Sequence, residues 1–167
     1  MILIHTALLC EAQTFIEVLK LKKINSIPKI YKNKKYIVLI GGVGKDNTLN
    51  SLEYIFKNYT ISKAINIGVA GSSNLSIKIG ELFCCNHKLK DIKWLPLNTV
   101  DKPQTKNSGE NCLYDMEGKY FLENCFKNID EENIFIYKVV SDYLSDEILP
   151  KDFIKRLIRK ININTII

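Results

Sequence analysis

Four short apolar runs, each closed by small or turn-forming residues, constrain what this chain can fold into more than any other feature. They are ILIHTAL at 2–8, YIVLI at 36–40, AINIGVAG at 64–71 and IFIYKVVSD at 134–142. Their shortness and their content of Ile and Val, which pack well on a pleated surface, predict strands. Two are almost continuously apolar, as strands covered on both faces are. Between the runs lie segments with helical spacing, 10–22, 46–58, 115–127 and 150–160. The last opens at Pro150 and sets Phe153, Leu157 and Ile158 at helical intervals among basic residues. Strands alternating with helices predict an α/β fold, a three-layer, mostly parallel twisted mixed sheet flanked by helices. With 167 residues, 46% of them hydrophobic and 25% charged, the chain suits a single domain over 1–167. Only the stretch 81–111 resists this reading. It begins like a strand, then loses periodicity, and from about Asn98 to Asn111 it is polar, with Pro103 and Gly109, which predicts a mobile loop.

The second run ends in GGVGKDNT, which at first sight resembles a phosphate-cradling loop. A triphosphate loop needs a Gly five residues before its Gly-Lys and a hydroxyl directly after, where this chain has Leu39 and Asp46. The dinucleotide fingerprint fails as well, since its third Gly would fall on Asn47. What remains is a strand ending in a tight glycine turn. Such a turn is either a plain connection to a helix or a place where backbone comes close to a ligand.

The formal charge of +6 raises the question of nucleic acid. The lysines read as scattered through loops and helix faces, the only arginines are Arg156 and Arg159, and no alternation of aromatic and basic residues offers bases a platform. The expectation is a solvated surface and no nucleic-acid partner. The apolar start lacks a basic flank and carries Glu11 too early for a secretory signal, and no run approaches the ~18 apolar residues of a membrane span. No membrane association is expected. Cys10, Cys84, Cys85, Cys112 and Cys125 are odd in number, show no Cys-x-x-Cys spacing and share the chain with only His5 and His87. They predict reduced thiols, a cytoplasmic protein, no metal site and no cofactor.

In open α/β sheets ligands bind beyond the carboxyl ends of the strands, which turns the strand assignments into candidate site segments: TALLCE, GGVG, GVAG and SD. Two of these carry an acid, Glu11 and Asp142. A third acid comes with YDMEGKY, where Asp115 can cap a helix whose first turn holds Met116 and Glu117. Each has a plain alternative. Glu11 fits a solvated first helical turn, Asp142 a turn, Met116 core packing and Lys45 an ordinary surface.

The order GVGKDNT, INIGVAG with IGEL, YDMEG and VVSD resembles the nucleoside phosphorylase superfamily over residues 1–149, and most closely its methylthioadenosine/S-adenosylhomocysteine nucleosidase branch. The resemblance implies cleavage of the bond between a purine-type base and ribose. Asp142 would protonate the base, its pKa raised by burial, with Ser141 orienting it. Glu11 would polarise the attacking water, and Glu117 would take the ribose hydroxyls with Met116 against the sugar. Ala7, Val43, Ala70 and Gly71 fall on pocket-lining positions, so the glycine turn would serve close approach to the sugar. A homodimer acting on a small-molecule nucleoside is implied. Phosphorolysis requires phosphate held under the sugar, usually by arginine, and there is none before Arg156, which favours water as nucleophile. A purine nucleoside phosphorylase and a silent nucleoside-binding protein remain the alternatives. The chain departs from the family in a shorter segment between IGELF and YDMEG, in Val69 between the glycines and in Lys138 where the nucleosidases carry arginine. Trp94 or Tyr114 would have to supply the aromatic that stacks on the base.

Overall fold

The computed structural model describes residues 1–106 and 109–167, so Asn107 and Ser108 of the expected loop lie outside the described residues. The strands are β1 (Ile2–Thr6), β2 (Lys22–Ser26), β3 (Lys29–Lys32), β4 (Tyr36–Ile40), β5 (Lys63–Ser72), β6 (Leu82–Cys84), β7 (Lys93–Trp94), β8 (Leu97–Thr99), β9 (Leu113–Asp115) and β10 (Ile134–Asp142). The helices are α1 (Leu9–Val18), α2 (Lys45–Asn58), α3 (Gly118–Cys125), α4 (Lys151–Arg159) and the short α5 (Ile163–Ile166). One sheet runs in the order β2-β3-β4-β1-β5-β10-β6-β7, with β9 pairing β5 and β8 pairing β9.

The four apolar runs form the parallel centre: β1 lies between β4 and β5, and β5 pairs β10. Their side chains alternate between two cores. Leu3, Ala64, Ile136 and Val140 face one side with Leu52 and Ile55 of α2 and Phe121 of α3. Ile4, Ile65, Tyr137 and Val139 face the other with Ala12 and Phe15 of α1 and Leu157 and Ile158 of α4. Both faces are therefore covered, which is why these strands lack the polar alternation of a half-exposed sheet.

The remaining strands differ from expectation. The helix expected over 10–22 stops at Val18, and Lys22 already begins β2 of an antiparallel hairpin with β3. That hairpin buries little beyond Ile30, so it carries almost no apolar signal. The expected loop 98–111 contributes Asn98 and Thr99 to β8, paired parallel with β9. Asp115 ends β9, and α3 starts only at Gly118, so Met116 and Glu117 precede the helix.

The position of the site follows from the connections. The chain leaves the carboxyl end of β1 into α1 on one face and leaves β4 into α2 on the other. A crevice opens where neighbouring strands send their helices to opposite faces.

Candidate active site

At the end of β1, Thr6 leads through Ala7 and Leu8 into α1. Glu11 sits in the first turn of that helix, yet it is buried at 3% exposure, not solvated. Its side chain turns back, so that Oε2 accepts from Leu8 N–H at 2.8 Å, while Oε1 accepts from Val69 N–H of β5 at 3.0 Å. This approach depends on Gly68, where a Cβ would stand 2.7 Å from Glu11 Oε1. Burial pushes the Glu11 carboxyl above its ordinary range, against the opposing pull of the Leu8 and Val69 amides and the Lys138 charge.

The glycine turn follows β4. Gly42 and Gly44 have φ of 91° and 86°, values that suit residues without a Cβ, and Gly44 immediately precedes α2. Its N–H donates to Glu117 Oε1 at 2.9 Å, so the turn does reach a carboxylate. Glu117 is 7% exposed, and burial, with the nearby Asp115 charge, pushes its carboxyl up to about 7 although Lys138 pulls the other way. The turn preceding α3 aims it inward, because Asp115 Oδ2 accepts from Gly118 N–H at 2.8 Å.

Asp142 owes its direction to a bulge. Val140 pairs with Ala70 and Asp142 with Gly71, leaving Ser141 as an extra residue in β10. Ser141 Oγ donates to Asp142 Oδ2 at 2.6 Å, and Ser145 N–H donates to Oδ1 at 3.1 Å. Asp142 itself is only half-buried, in contrast to the burial expected of it.

Beneath these groups lies a pair that sequence reading did not assign. Lys138 Nζ is 2.7 Å from Asp115 Oδ2, with both side chains buried. Thr99 Oγ1 donates to the other Asp115 oxygen at 2.6 Å. Burial alone would lower the Lys138 pKa, but Asp115, Glu117 and Glu11 outweigh it and hold the ammonium charged above its ordinary range.

Ala7, Glu11, Val43, Ala70, Gly71, Met116, Glu117, Ser141 and Asp142 all line one cavity of about 200 Å³. Its further walls come from segments without a sequence signal: Val100, Pro103 and Gln104 on one side, Leu144, Ser145, Glu147 and Leu149 on the other. Tyr114 lines it too, whereas Trp94 lies on β7 near the far edge of the sheet and does not. Lys45 sits over the Tyr120 ring instead, 5.6 Å from its centroid. The lining carries the carboxylates of Glu11, Asp115, Glu117, Asp142 and Glu147 and not one Lys, Arg or His. Among the described residues no cluster of His, Cys, Asp and Glu could hold a metal ion, and no helix is long and apolar enough to cross a membrane.

An α/β sheet with a cavity at the carboxyl ends of β1, β5 and β10 is a fold this chain shares with several solved nucleosidases. The 5'-methylthioadenosine/S-adenosylhomocysteine nucleosidase of Helicobacter pylori, solved with butyl-thio-DADMe-Immucillin-A, superposes with a TM-score of 0.79 at 15% identity, covering 95% of this chain and 92% of that one. The corresponding nucleosidase of Neisseria meningitidis, in complex with methylthio-immucillin-A, gives 0.79 at 14% identity, over 94% and 93% of the two chains. Futalosine hydrolase of Helicobacter pylori gives 0.78 at 16% identity, over 95% and 92%. No family model and no curated protein matches the sequence.

Proposed function

We propose that this protein is an N-glycosidase that hydrolyses the base–ribose bond of a purine nucleoside or modified nucleoside of the methylthioadenosine or S-adenosylhomocysteine kind. The observation that carries the proposal is the cavity lining: Glu11, Glu117 and Asp142 converge on one space from three different strand ends, with no cationic side chain among them.

Each acid has a role suited to its surroundings. Breaking the bond draws electrons onto the base and leaves positive charge on the sugar. Asp142, held by Ser141 Oγ and Ser145 N–H, stands where it can hydrogen-bond the departing base and deliver a proton, and a bound base would complete its burial. Glu11 keeps one backbone bond on each oxygen, and the remaining lone pairs can orient a water and take its proton as it attacks the sugar. Glu117 presents the oxygen not engaged by Gly44 to a ribose hydroxyl, with Met116 against the ring. The carboxylates together favour the positively charged sugar of the transition state. An anionic phosphate nucleophile would meet five carboxylates and no guanidinium or ammonium in the lining, which supports water in its place. A homodimer whose partner helps close the pocket belongs to the same proposal.

The test is base release from methylthioadenosine, S-adenosylhomocysteine, adenosine, inosine and futalosine, each with and without phosphate. Phosphate-independent release is expected. Strictly phosphate-dependent release would make the protein a phosphorylase, and binding without release would make it a nucleoside-binding protein. Asp142→Asn should lower turnover by roughly 10²–10⁴-fold, the range of general acid catalysis, while ribose affinity stays within a few-fold. Undiminished turnover would remove Asp142 from the acid role. Glu117→Ala should weaken ribonucleosides far more than their 2′,3′-dideoxy analogues, and equal losses would mean that Glu117 does not hold the hydroxyls.

A further inference from the structure

Residues 20–35 contain seven lysines, Lys20, Lys22, Lys23, Lys29, Lys32, Lys34 and Lys35, and no Asp, Glu or Arg. The whole chain carries +6, so the rest of it sums to −1, and the basic character of the protein resides in this stretch. The structure places it on the β2–β3 hairpin and its flanks, not on scattered loops and helix faces, and all of these lysines except Lys32 are exposed.

Among the described residues β2 is the outermost strand of the sheet, pairs only with β3 and carries a bulge at Ile24. None of its five residues is buried, and Lys22, Lys23, Ile24 and Ser26 are exposed. Ile24 is 49% exposed, and Ile27 in the turn is 89% exposed. Lysines on an edge strand guard against pairing with another copy of the chain, since like charges would face each other. That accounts for the lysines but leaves the two exposed isoleucines without a purpose.

Three anionic partners can be compared. Single-stranded nucleic acid requires open aromatic rings for its bases, but the tyrosines of this region are half-buried, and Lys35 lies over the Tyr36 ring and Lys32 over that of Tyr59. A bilayer requires its apolar tip ringed by charge, whereas Lys22, Lys32, Lys34 and Lys35 lie at the end of the hairpin opposite Ile27 and Pro28. An extended acidic segment meets both features of β2: an open main-chain edge, and ammonium groups with an apolar side chain between them and the turn.

We propose that β2 is a docking edge for an extended acidic segment of a partner protein. The segment adds as a further strand, with acidic side chains against Lys22 and Lys23 and an apolar one against Ile24. This surface is separate from the cavity and independent of the reaction assigned to it.

The probe is a short capped peptide repeating Glu-Glu-Val-Val, which puts a Glu on each face of the added strand, labelled for anisotropy and titrated into the 167-residue protein. Binding is expected, weakening as salt is raised, with the amides of 22–26 shifting in NMR spectra and gaining protection from exchange. The double variant Lys22→Glu/Lys23→Glu should bind at least tenfold more weakly and should accept a Lys-Lys-Val-Val peptide instead. Both substituted residues are exposed, and an unchanged thermal unfolding curve confirms that the fold is intact. A peptide that alternates Glu and Val, and so reaches only one of the two lysine faces with its carboxylates, should bind clearly less well. The proposal is overturned if the Glu-Glu-Val-Val peptide does not bind at millimolar concentration, if the alternating peptide binds equally, or if the 22–26 amides do not respond. It is equally overturned if anionic vesicles or an oligonucleotide bind through these lysines and the peptide does not.

Discussion

Gly68 lacks a side chain at the point where Glu11 Oε1 lies against β5. A methyl group there would sit 2.7 Å from that oxygen, well inside contact distance, so the carboxylate would have to leave the strand and lose its bond from Val69 N–H. Displacing a catalytic group by about 1 Å costs on the order of 10²-fold in rate, and under the role proposed for Glu11 its water would no longer line up with the sugar. Gly68→Ala is therefore expected to lower kcat by roughly that factor while KM changes little, since Glu117 and Met116 are untouched. The measurement is steady-state base release by the variant beside the wild type. A variant with wild-type kcat would show that Glu11 works equally well when displaced, and the water-positioning role would have to move elsewhere. Of the three acids, Glu11 and Asp142 are legible from the rule that ligands bind at strand ends. Glu117 is legible from the YDMEGKY stretch, its expected role only from the resemblance, and the part played by Gly68 only in three dimensions, where the neighbour that excludes its side chain can be seen.

Between elements, the Lys138–Asp115 pair pins β10 to β9. A buried pair of this kind adds little net stability over an apolar pair of the same shape, but removing one partner leaves the other charged in a dry place. Lys138→Met is expected to cost about 3–5 kcal/mol in urea unfolding, and adding Asp115→Asn should recover part of the loss. A loss below about 1 kcal/mol would mean that Asp115 finds another partner or takes up a proton. This pair also explains where reading by elements succeeded and where it failed. The parallel strands stand out because both faces are covered and every position asks for an apolar residue. Asp115 resembles a helix cap because a polar residue before a helix usually is one, and it does bond Gly118 N–H. Its second task, meeting an ammonium delivered by a distant strand, leaves no local trace. The β2–β3 hairpin escapes notice for a different reason: its exposed faces call for no apolar alternation, so physics places almost no pattern there.

At the scale of the molecule, stability against pH reflects two buried groups shifted in opposite senses. His5 is fully buried between β1 and its surroundings, its Nδ1 2.8 Å from Asn66 Nδ2, and burial with the Lys138 charge lowers it from 6.5 to about 3. Between those values the unfolded chain holds the extra proton, so His5 makes stability rise with pH and removes it as pH falls from about 6.5 towards 3. Glu117 is raised from 4.5 to about 7, so the folded state holds the extra proton there and stability falls as pH rises through that window. Each slope is limited to about 1.4 kcal/mol per pH unit, the worth of one proton. They oppose each other between 4.5 and 6.5, and Glu11, also raised, adds to the Glu117 side. Wild-type protein should accordingly show stability that is flat or slightly falling from pH 4.5 to 6.5, with a steep loss only below 4.5. Glu117→Gln removes one of the opposing titrations, so its stability should rise relative to that of the wild type as pH increases over the same interval. Urea unfolding at half-unit steps of pH for the two proteins decides the matter: parallel profiles would mean that Glu117 takes up no extra proton on folding, whereas curves that diverge with pH would locate the opposing titration at the carboxyl proposed to bind ribose.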